Sequence, residues 1–556
     1  MFGSENHCHL HHARRGAWEA LKANPKPEVL IIGGGVNGAG LLRDLSLNGI
    51  SATLIDSGDF CSGASGASSR MAHGGLRYLE GREFDLVRES ARERNMLLHD
   101  AGHLVKPLEV VVPVVHWVKG LLQTARRFFG LSDKSGPLSF VALKSGLLTY
   151  ERFGAIRRAL PHHRVAVSRS SFPAGMPKAV CSVISYYDGQ ITGPEALIFE
   201  MLDAASDVEG VTAVNHVTWS YKGPGQFLIT DPSSDETVQI TPRIIVNAAG
   251  SAIDRVNGRL GMSTNLIRGV KGAHLVLNHQ DLHQRMDGRA FYFDDGRGRM
   301  VICLPVEDVI LIGTTEVETP DPHDHSVMAQ EIDYLIKSLN TLFEDIHITT
   351  EHMVAVTSGI RPLQASTGSA THAARDHALV EQIIDALPII SMVGGKWTTF
   401  RAFAELASDV VHAHLGKARM VSTLDRAYPG SGHVNVVELA QQCNFSVERI
   451  DKLYKRYGKL AEHVALFCAQ DNDMPIDDAP SYSKREIIWL TQRRMALTLE
   501  DLVLRRTNIV MTGRLSKAAL DHIAYVMADT LGHDETWAKA QSQSCSNDPR
   551  IIWNGK

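Results

Sequence analysis

Nowhere does the 556-residue chain carry the ~18 successive apolar residues that a membrane-crossing helix needs, because Pro107, Glu109, Pro113 and His116 break its longest apolar region. Any membrane contact is therefore expected to be peripheral. Cysteine is scarce: the seven residues Cys8, Cys61, Cys181, Cys303, Cys443, Cys468 and Cys545 are scattered and lack CxxC spacing. That indicates neither a disulfide framework nor a zinc site, and it fits a reducing compartment. Positive charge is not in excess, with Lys+Arg 57 against Asp+Glu 62 and a formal charge of -5, which argues against nucleic acid as a partner. No EF-hand loop and no repeat of roughly 20 to 50 residues is present. The first 27 residues lack the apolar core of a secretory signal and hold His7, His9, His11 and His12 beside Arg14 and Arg15. They are expected to be a disordered leader, with a short mitochondrial presequence as the alternative; no metal centre is expected from them or elsewhere. The remaining composition, 44% hydrophobic and 21% charged, suits two or three globular domains.

What is present is concentrated between residues 29 and 80. Val29-Leu30-Ile31-Ile32 runs into Gly33-Gly34-Gly35-Val36-Asn37-Gly38, and Asp56 closes a second strand-like run, Ala52 to Ile55. A strand entering a glycine turn and a helix points backbone N–H groups at a pyrophosphate. Gly33 permits the turn, Gly35 the approach of phosphate, and Gly38 the packing of helix on strand, while Asp56 can accept the ribose hydroxyls. The unit predicts a dinucleotide-binding fold.

The segment after Asp56 selects the dinucleotide. Phe60 to Arg70 is small and hydroxyl-rich, including Ser62, Ser68 and Ser69, and it leads into Ala72-His73-Gly74-Gly75-Leu76-Arg77-Tyr78-Leu79-Glu80. Small residues allow the backbone to lie against a large flat cofactor, which favours FAD. With these serines and the His-Gly-Gly-Leu-Arg-Tyr-Leu-Glu run, the chain resembles the FAD-dependent, quinone-linked glycerol-3-phosphate dehydrogenases over roughly residues 28 to 540. Departures include Arg70 where lysine is usual, Asn247-Ala248-Ala249-Gly250-Ser251 in place of an NATGPW-like run, and a looser Leu147 to Gly154. Within that resemblance, Ala248 and Gly250 would pass close to the flavin, as would Gly394, Lys396 and Thr398 in Val393-Gly394-Gly395-Lys396-Trp397-Thr398-Thr399.

The expected architecture is α/β: a discontinuous Rossmann-like FAD-binding domain (28–263 and 357–427), a mixed-sheet substrate region (264–356) and a helical C-terminal cap domain (434–556). Apolar spacing predicts helices over 84–99, from Trp117 to Phe129, over 328–343 and over 484–495, and strands over 108–115, 180–187, 211–219, 226–230 and 238–246. The helix from Trp117, carrying Lys119, Arg126 and Arg127, reads either as interfacial or as ordinary core packing.

Oxidising an alcohol with a flavin requires the carbinol carbon to be held over the ring and its hydroxyl proton to be removed. The resemblance implies Arg361 (Ser-Gly-Ile-Arg-Pro-Leu) and Lys396 for the carbinol end, and Arg77 and Arg375 for the phosphate, since arginine offers a planar, permanently charged fork. Tyr78 and Thr315 are further substrate-binding candidates. For the base, the resemblance offers His274, in Val-Lys-Gly-Ala-His, with His73 as the competing candidate for base or flavin contact. Cofactor contacts are expected from Gly33, Gly35, Asn37, Gly38, Asp56, Ser62, Ser68, Ser69, His73, Gly74, Ala248, Gly250, Gly394, Lys396 and Thr398, with the flavin not covalently attached. The implied reaction converts sn-glycerol 3-phosphate to dihydroxyacetone phosphate and passes electrons to a membrane quinone. It implies a peripheral place on the cytoplasmic face of the inner membrane, or on the mitochondrial inner membrane if the source is eukaryotic, and leaves room for a homodimer. The rivals are another short polyol phosphate such as a tetritol phosphate, an oxygen-using oxidase, and an FAD-binding protein without turnover.

Overall fold

The computed structural model describes residues 13–76, 79, 83–118, 139–154, 160–296, 299–365 and 377–553. Arg77, Tyr78, Arg375, Lys119, Arg126 and Arg127 lie outside them, as does most of the helix expected from Trp117.

The apolar run Val29–Ile32 is buried at all four positions and pairs in parallel with Ala52–Ile55 on one side and Ile244–Asn247 on the other. Val211–Val214 and Leu387–Val393 extend this sheet in parallel, and Ala378–Ile384 adds to it antiparallel, giving among the described residues six strands in the order 378–384, 387–393, 244–247, 29–32, 52–55, 211–214. Helices Val36–Leu47 and Phe400–Leu415 pack on it. Strands buried on both faces read as continuous apolar runs, which is why this half is legible in the sequence.

Among the described residues the second sheet has ten strands. The long pairing at one edge joins Ile267–Leu277 to Met353–Gln364, and the far side holds Val105–Val114 paired with Ser182–Ile191. The boundary expected at residue 264 therefore does not separate the two sheets, because the substrate-side sheet takes Met71–Ala72, Val105–Val114 and Ser182–Ile191 from before it and runs on to Gln364. Periodicity identifies each strand but carries no information on which distant strand it pairs with. Two of the expected single strands are each divided by a turn, into Val211–Val214 with Thr218–Gly223 and Glu236–Ile240 with Ile244–Asn247.

The expected disordered leader contains a helix, Ala13–Ala23, in which Trp18 and Leu21 are buried. Arg14 pairs with Asp231 at 2.9 Å and the Trp18 indole donates to Glu236 at 2.6 Å, so an amphipathic turn hidden beside the histidines docks on the nucleotide half. The C-terminal part is a set of helices from Val436–Cys443 to Glu535–Ser546 with one small hairpin, Pro475–Ile476 and Ala479–Ser483.

Candidate active site

The glycine turn between Ile32 and Val36 holds its shape because side chains are excluded. A Cβ on Gly33, whose φ is +115°, would fall 2.6 Å from the Ala248 carbonyl oxygen, and one on Gly38 would fall 2.0 Å from the Gly33 carbonyl oxygen. Among the described residues a Cβ on Gly35 meets only Ser65 Oγ, at 3.2 Å, and Gly35 faces a cavity of about 1070 Å³. Asp56 accepts from the Gly34 N–H at 2.6 Å and from the Gly58 N–H at 2.9 Å, while burial pushes its pKa up. Ser65, which sequence reasoning passed over, accepts the Val36 N–H at 3.0 Å at the helix start.

This cavity runs between the two sheets. Of the expected cofactor contacts, Gly33, Gly35, Asn37, Asp56, Ser62, Ser68, Ser69, His73, Ala248, Gly250, Gly394, Lys396 and Thr398 line it, and so do Arg361 and His274. Gly38 does not; it packs helix on strand. Gly74 is also absent from the wall. Its N–H donates to Tyr150 Oη at 2.9 Å and to Asp188 at 3.2 Å, over a buried network in which Arg94 donates to Asp188 at 2.7 Å. Thr315 is likewise turned away, because its hydroxyl donates to Glu331 at 2.6 Å and accepts the Ala273 N–H at 2.9 Å. Gly74 and Thr315 thus hold the wall from behind, and a motif alone cannot tell a lining position from its neighbour.

Two segments far apart in the chain meet at the floor. The Thr398 hydroxyl accepts the His73 N–H at 3.0 Å and donates to the His73 carbonyl at 3.1 Å. Nearby, the Trp397 indole donates to the Ser65 carbonyl at 2.9 Å and Asn37 Nδ2 to the Gly394 carbonyl at 3.1 Å. Asn37 Oδ1 and His274 Nδ1 are buried without a hydrogen-bond partner among the described residues.

Across the cavity, Ser69 Oγ lies 2.7 Å from His274 Nε2. Burial, reinforced by Arg361 and Arg70, lowers the pKa of this ring to about 3. Arg361 donates to Thr314 Oγ1 at 2.7 Å. Sequence reasoning missed Arg299, Glu316, Thr314 and Tyr292, which also line this end. Arg299 leaves no local signal, since it follows a hairpin turn and reaches the site only through the pairing of Ala290–Asp294 with Met300–Val306.

Beneath the Asp56 loop, Asp59 accepts from both Arg505 and Arg506, and Arg505 also pairs with Asp501 at 2.7 Å. Asp59, His216 and Asp501 bring potential ligand atoms within 4.8 Å of one another, but the two guanidiniums already engage these carboxylates, so the cluster reads as an ionic clamp.

The donors and clearances fit an adenine dinucleotide: a glycine turn at a helix start, an acid at the end of the neighbouring strand, and a long cavity walled by small residues. The family pattern described as "FAD dependent oxidoreductase" matches residues 28–400, and that of the "C-terminal domain of alpha-glycerophosphate oxidase" matches residues 421–538. A glycerol-3-phosphate dehydrogenase of Synechocystis sp. is 31% identical over 553 residues, covering 94% of this chain and 96% of that one. A D-erythritol 1-phosphate dehydrogenase of Brucella abortus is 28% identical, covering 86% and 94%. Among solved structures, the glycerol-3-phosphate dehydrogenase of Bacillus halodurans complexed with FAD superposes with a TM-score of 0.73 at 20% identity, covering 98% of this chain and 100% of that one.

Proposed function

The chain belongs to the FAD-dependent glycerol-3-phosphate dehydrogenase family, and from that premise we propose that it oxidises sn-glycerol 3-phosphate to dihydroxyacetone phosphate and delivers the electrons to a quinone. The cofactor is FAD. The observation that carries the reading is convergence: Arg361, Lys396 and His274, from three separate segments, line the same cavity as the Gly33 turn and Asp56.

When bound, FAD supplies the two-electron sink for the hydride of the carbinol carbon. The chain's own residues do the rest. Arg361 and Lys396 bind and orient the anionic substrate, which makes the reaction effectively unimolecular. The Ser69 hydroxyl and His274 take the hydroxyl proton: Oγ and Nε2 lie 2.7 Å apart, and with the ring proton on Nδ1 a proton gained at Oγ can pass to Nε2 as the hydroxyl's own proton moves to the ring. His73 stands as the other candidate, its backbone pinned by Thr398.

The quinone reading rests on an apolar surface. Trp117 and Val118 are 47% and 61% exposed, and Val167 is 59% exposed. The strands leading to them, Val105–Val114 and Arg164–Ala166, flank the same end of Ser182–Ile191, where Val114 faces Ser182 and Ala166 faces Val183. No helix among the described residues is long and apolar enough to cross a membrane. An apolar end of this kind suits shallow insertion near a lipid-soluble acceptor.

The acceptor is tested with purified holoenzyme and sn-glycerol 3-phosphate. The reading expects reduction of a quinone analogue under argon and little peroxide in air; stoichiometric peroxide would make the protein an oxidase. The second reading, a tetritol phosphate, is favoured by the similarity to the erythritol phosphate enzyme.

A further inference from the structure

Inside the cavity, Glu316 stands between two arginines. Its Oε1 lies 3.5 Å from Nη1 of Arg361, and its Oε2 lies 3.6 Å from Nε of Arg299. Both guanidiniums are also fixed by one residue: Arg361 Nη2 donates to Thr314 Oγ1 at 2.7 Å, and Arg299 Nη2 donates to the Thr314 carbonyl at 3.2 Å. Thr315 faces the opposite way and is tied to Glu331, which keeps Thr314 and Glu316 on the cavity wall. The two Glu316 contacts are longer than the ~2.7 to 2.9 Å of a charge-assisted hydrogen bond. The carboxylate is thus within Coulombic reach of both cations, at distances longer than a tight ion pair. Two guanidiniums, which attract anions, therefore face this stretch of the cavity wall.

We infer that Arg299 and Arg361 form an oxyanion-binding bracket and that Glu316 is its built-in competitor. A phosphate monoester entering the cavity takes over donors that face Glu316, so the carboxylate weakens the binding of substrate and product alike and speeds product departure. This inference rests on the proposal that the substrate is a phosphate ester. It assigns Arg361 to the phosphate, beside Arg299, and leaves Lys396 at the carbinol end. Binding that is equal for ground and transition states brings no gain in turnover, so an internal brake on it costs the reaction little.

The test is calorimetric titration of the flavin-loaded enzyme with inorganic phosphate, in the original protein and in the Arg299→Gln, Arg299→Lys and Glu316→Gln variants, each checked for flavin content. Arg299→Gln is expected to weaken phosphate binding by about 10 to 100-fold, with Arg299→Lys retaining part of the affinity. Glu316→Gln, which keeps shape and removes charge, is expected to tighten it by about tenfold. Unchanged or weaker binding in Glu316→Gln would overturn the competitor role, and unchanged binding in Arg299→Gln would overturn the bracket. If Arg299→Gln fails to retain flavin, Arg299→Lys and Glu316→Gln still decide the matter. The titration contains no polyol, so the two proposals fail separately. Flavin reduction by a polyol phosphate with the wrong sign in Glu316→Gln sinks only this one. The expected signs without reduction by any polyol phosphate sink only the proposed reaction.

Discussion

Ser69 Oγ and His274 Nε2, 205 residues apart in sequence, lie 2.7 Å from each other across the cavity. The ring is held neutral, because burial together with Arg361 and Arg70 lowers its pKa to about 3. Unfolded, it would titrate near ~6.5. The folded value is the lower one, so the ring favours folding fully above that pH and loses its contribution as pH falls toward about 3. The expectation is that His274→Asn flattens the acid limb of thermal stability between roughly pH 6.5 and 4. In kcat/KM profiles of flavin reduction, no ionisation between about pH 5 and 8 should vanish with His274. An inflection near neutrality removed by His274→Asn would contradict this.

Gly35 and Gly38 should respond differently to substitution. Gly35→Val places a branched side chain in the cavity, where among the described residues the added Cβ itself meets only Ser65 Oγ at 3.2 Å, so the protein should fold and purify with little FAD. Gly38→Ala sets a Cβ 2.0 Å from the Gly33 carbonyl oxygen, so it should lower the melting temperature as well. Flavin absorbance per chain and thermal melts separate the two outcomes.

Arg361→Ala and Lys396→Ala should retain FAD while slowing anaerobic flavin reduction. Loss of a charge-assisted hydrogen bond is worth roughly 1.5 to 3 kcal/mol, hence a decrease of about 10 to 150-fold in kcat/KM. Rapid-mixing measurement of the reductive half-reaction checks this, and a normal rate in both variants would remove them from the site.

Arg505 and Arg506 join the C-terminal part of the chain to Asp59, three residues beyond Asp56. His216 completes the connection: its N–H donates to the Gly58 carbonyl at 2.9 Å and its Nε2 lies 2.9 Å from Asp501. Removing Arg506 leaves a single guanidinium, Arg505, to serve both Asp59 and Asp501, a buried deficit of positive charge whose cost is at most that of a fully broken buried pair, about 3 to 5 kcal/mol. Arg506→Met should therefore lower both the melting temperature and the affinity for added FAD. A melting point unchanged by that substitution would show that the clamp contributes nothing.

The nucleotide half was the most legible part of the sequence, because its strands are continuous apolar runs and its turn admits only glycine at Gly33 and Gly38. The site was legible where a residue's type is tied to a short motif, as with Asp56, His274, Arg361 and Lys396, all of which reach one cavity. It was illegible where position depends on pairing across the sheet. Arg299 and Glu316 come to face each other only because Met300–Val306 and Val309–Gly313 are hairpin neighbours. Thr315 and Gly74 show the converse: each lies within a motif, yet each points away from the cavity toward Glu331 or Tyr150. The helix Ala13–Ala23 was missed because charged and histidine-rich flanks hid the two side chains, Trp18 and Leu21, that bury it.

The most direct test is anaerobic mixing of the flavin-loaded protein, with no acceptor present, with sn-glycerol 3-phosphate, a tetritol phosphate and unphosphorylated glycerol. The account predicts rapid bleaching of the flavin by sn-glycerol 3-phosphate, with dihydroxyacetone phosphate formed in equal amount, and no bleaching by glycerol on the same timescale. Flavin that stays oxidised with both phosphates, or that is bleached equally well by glycerol, would contradict it.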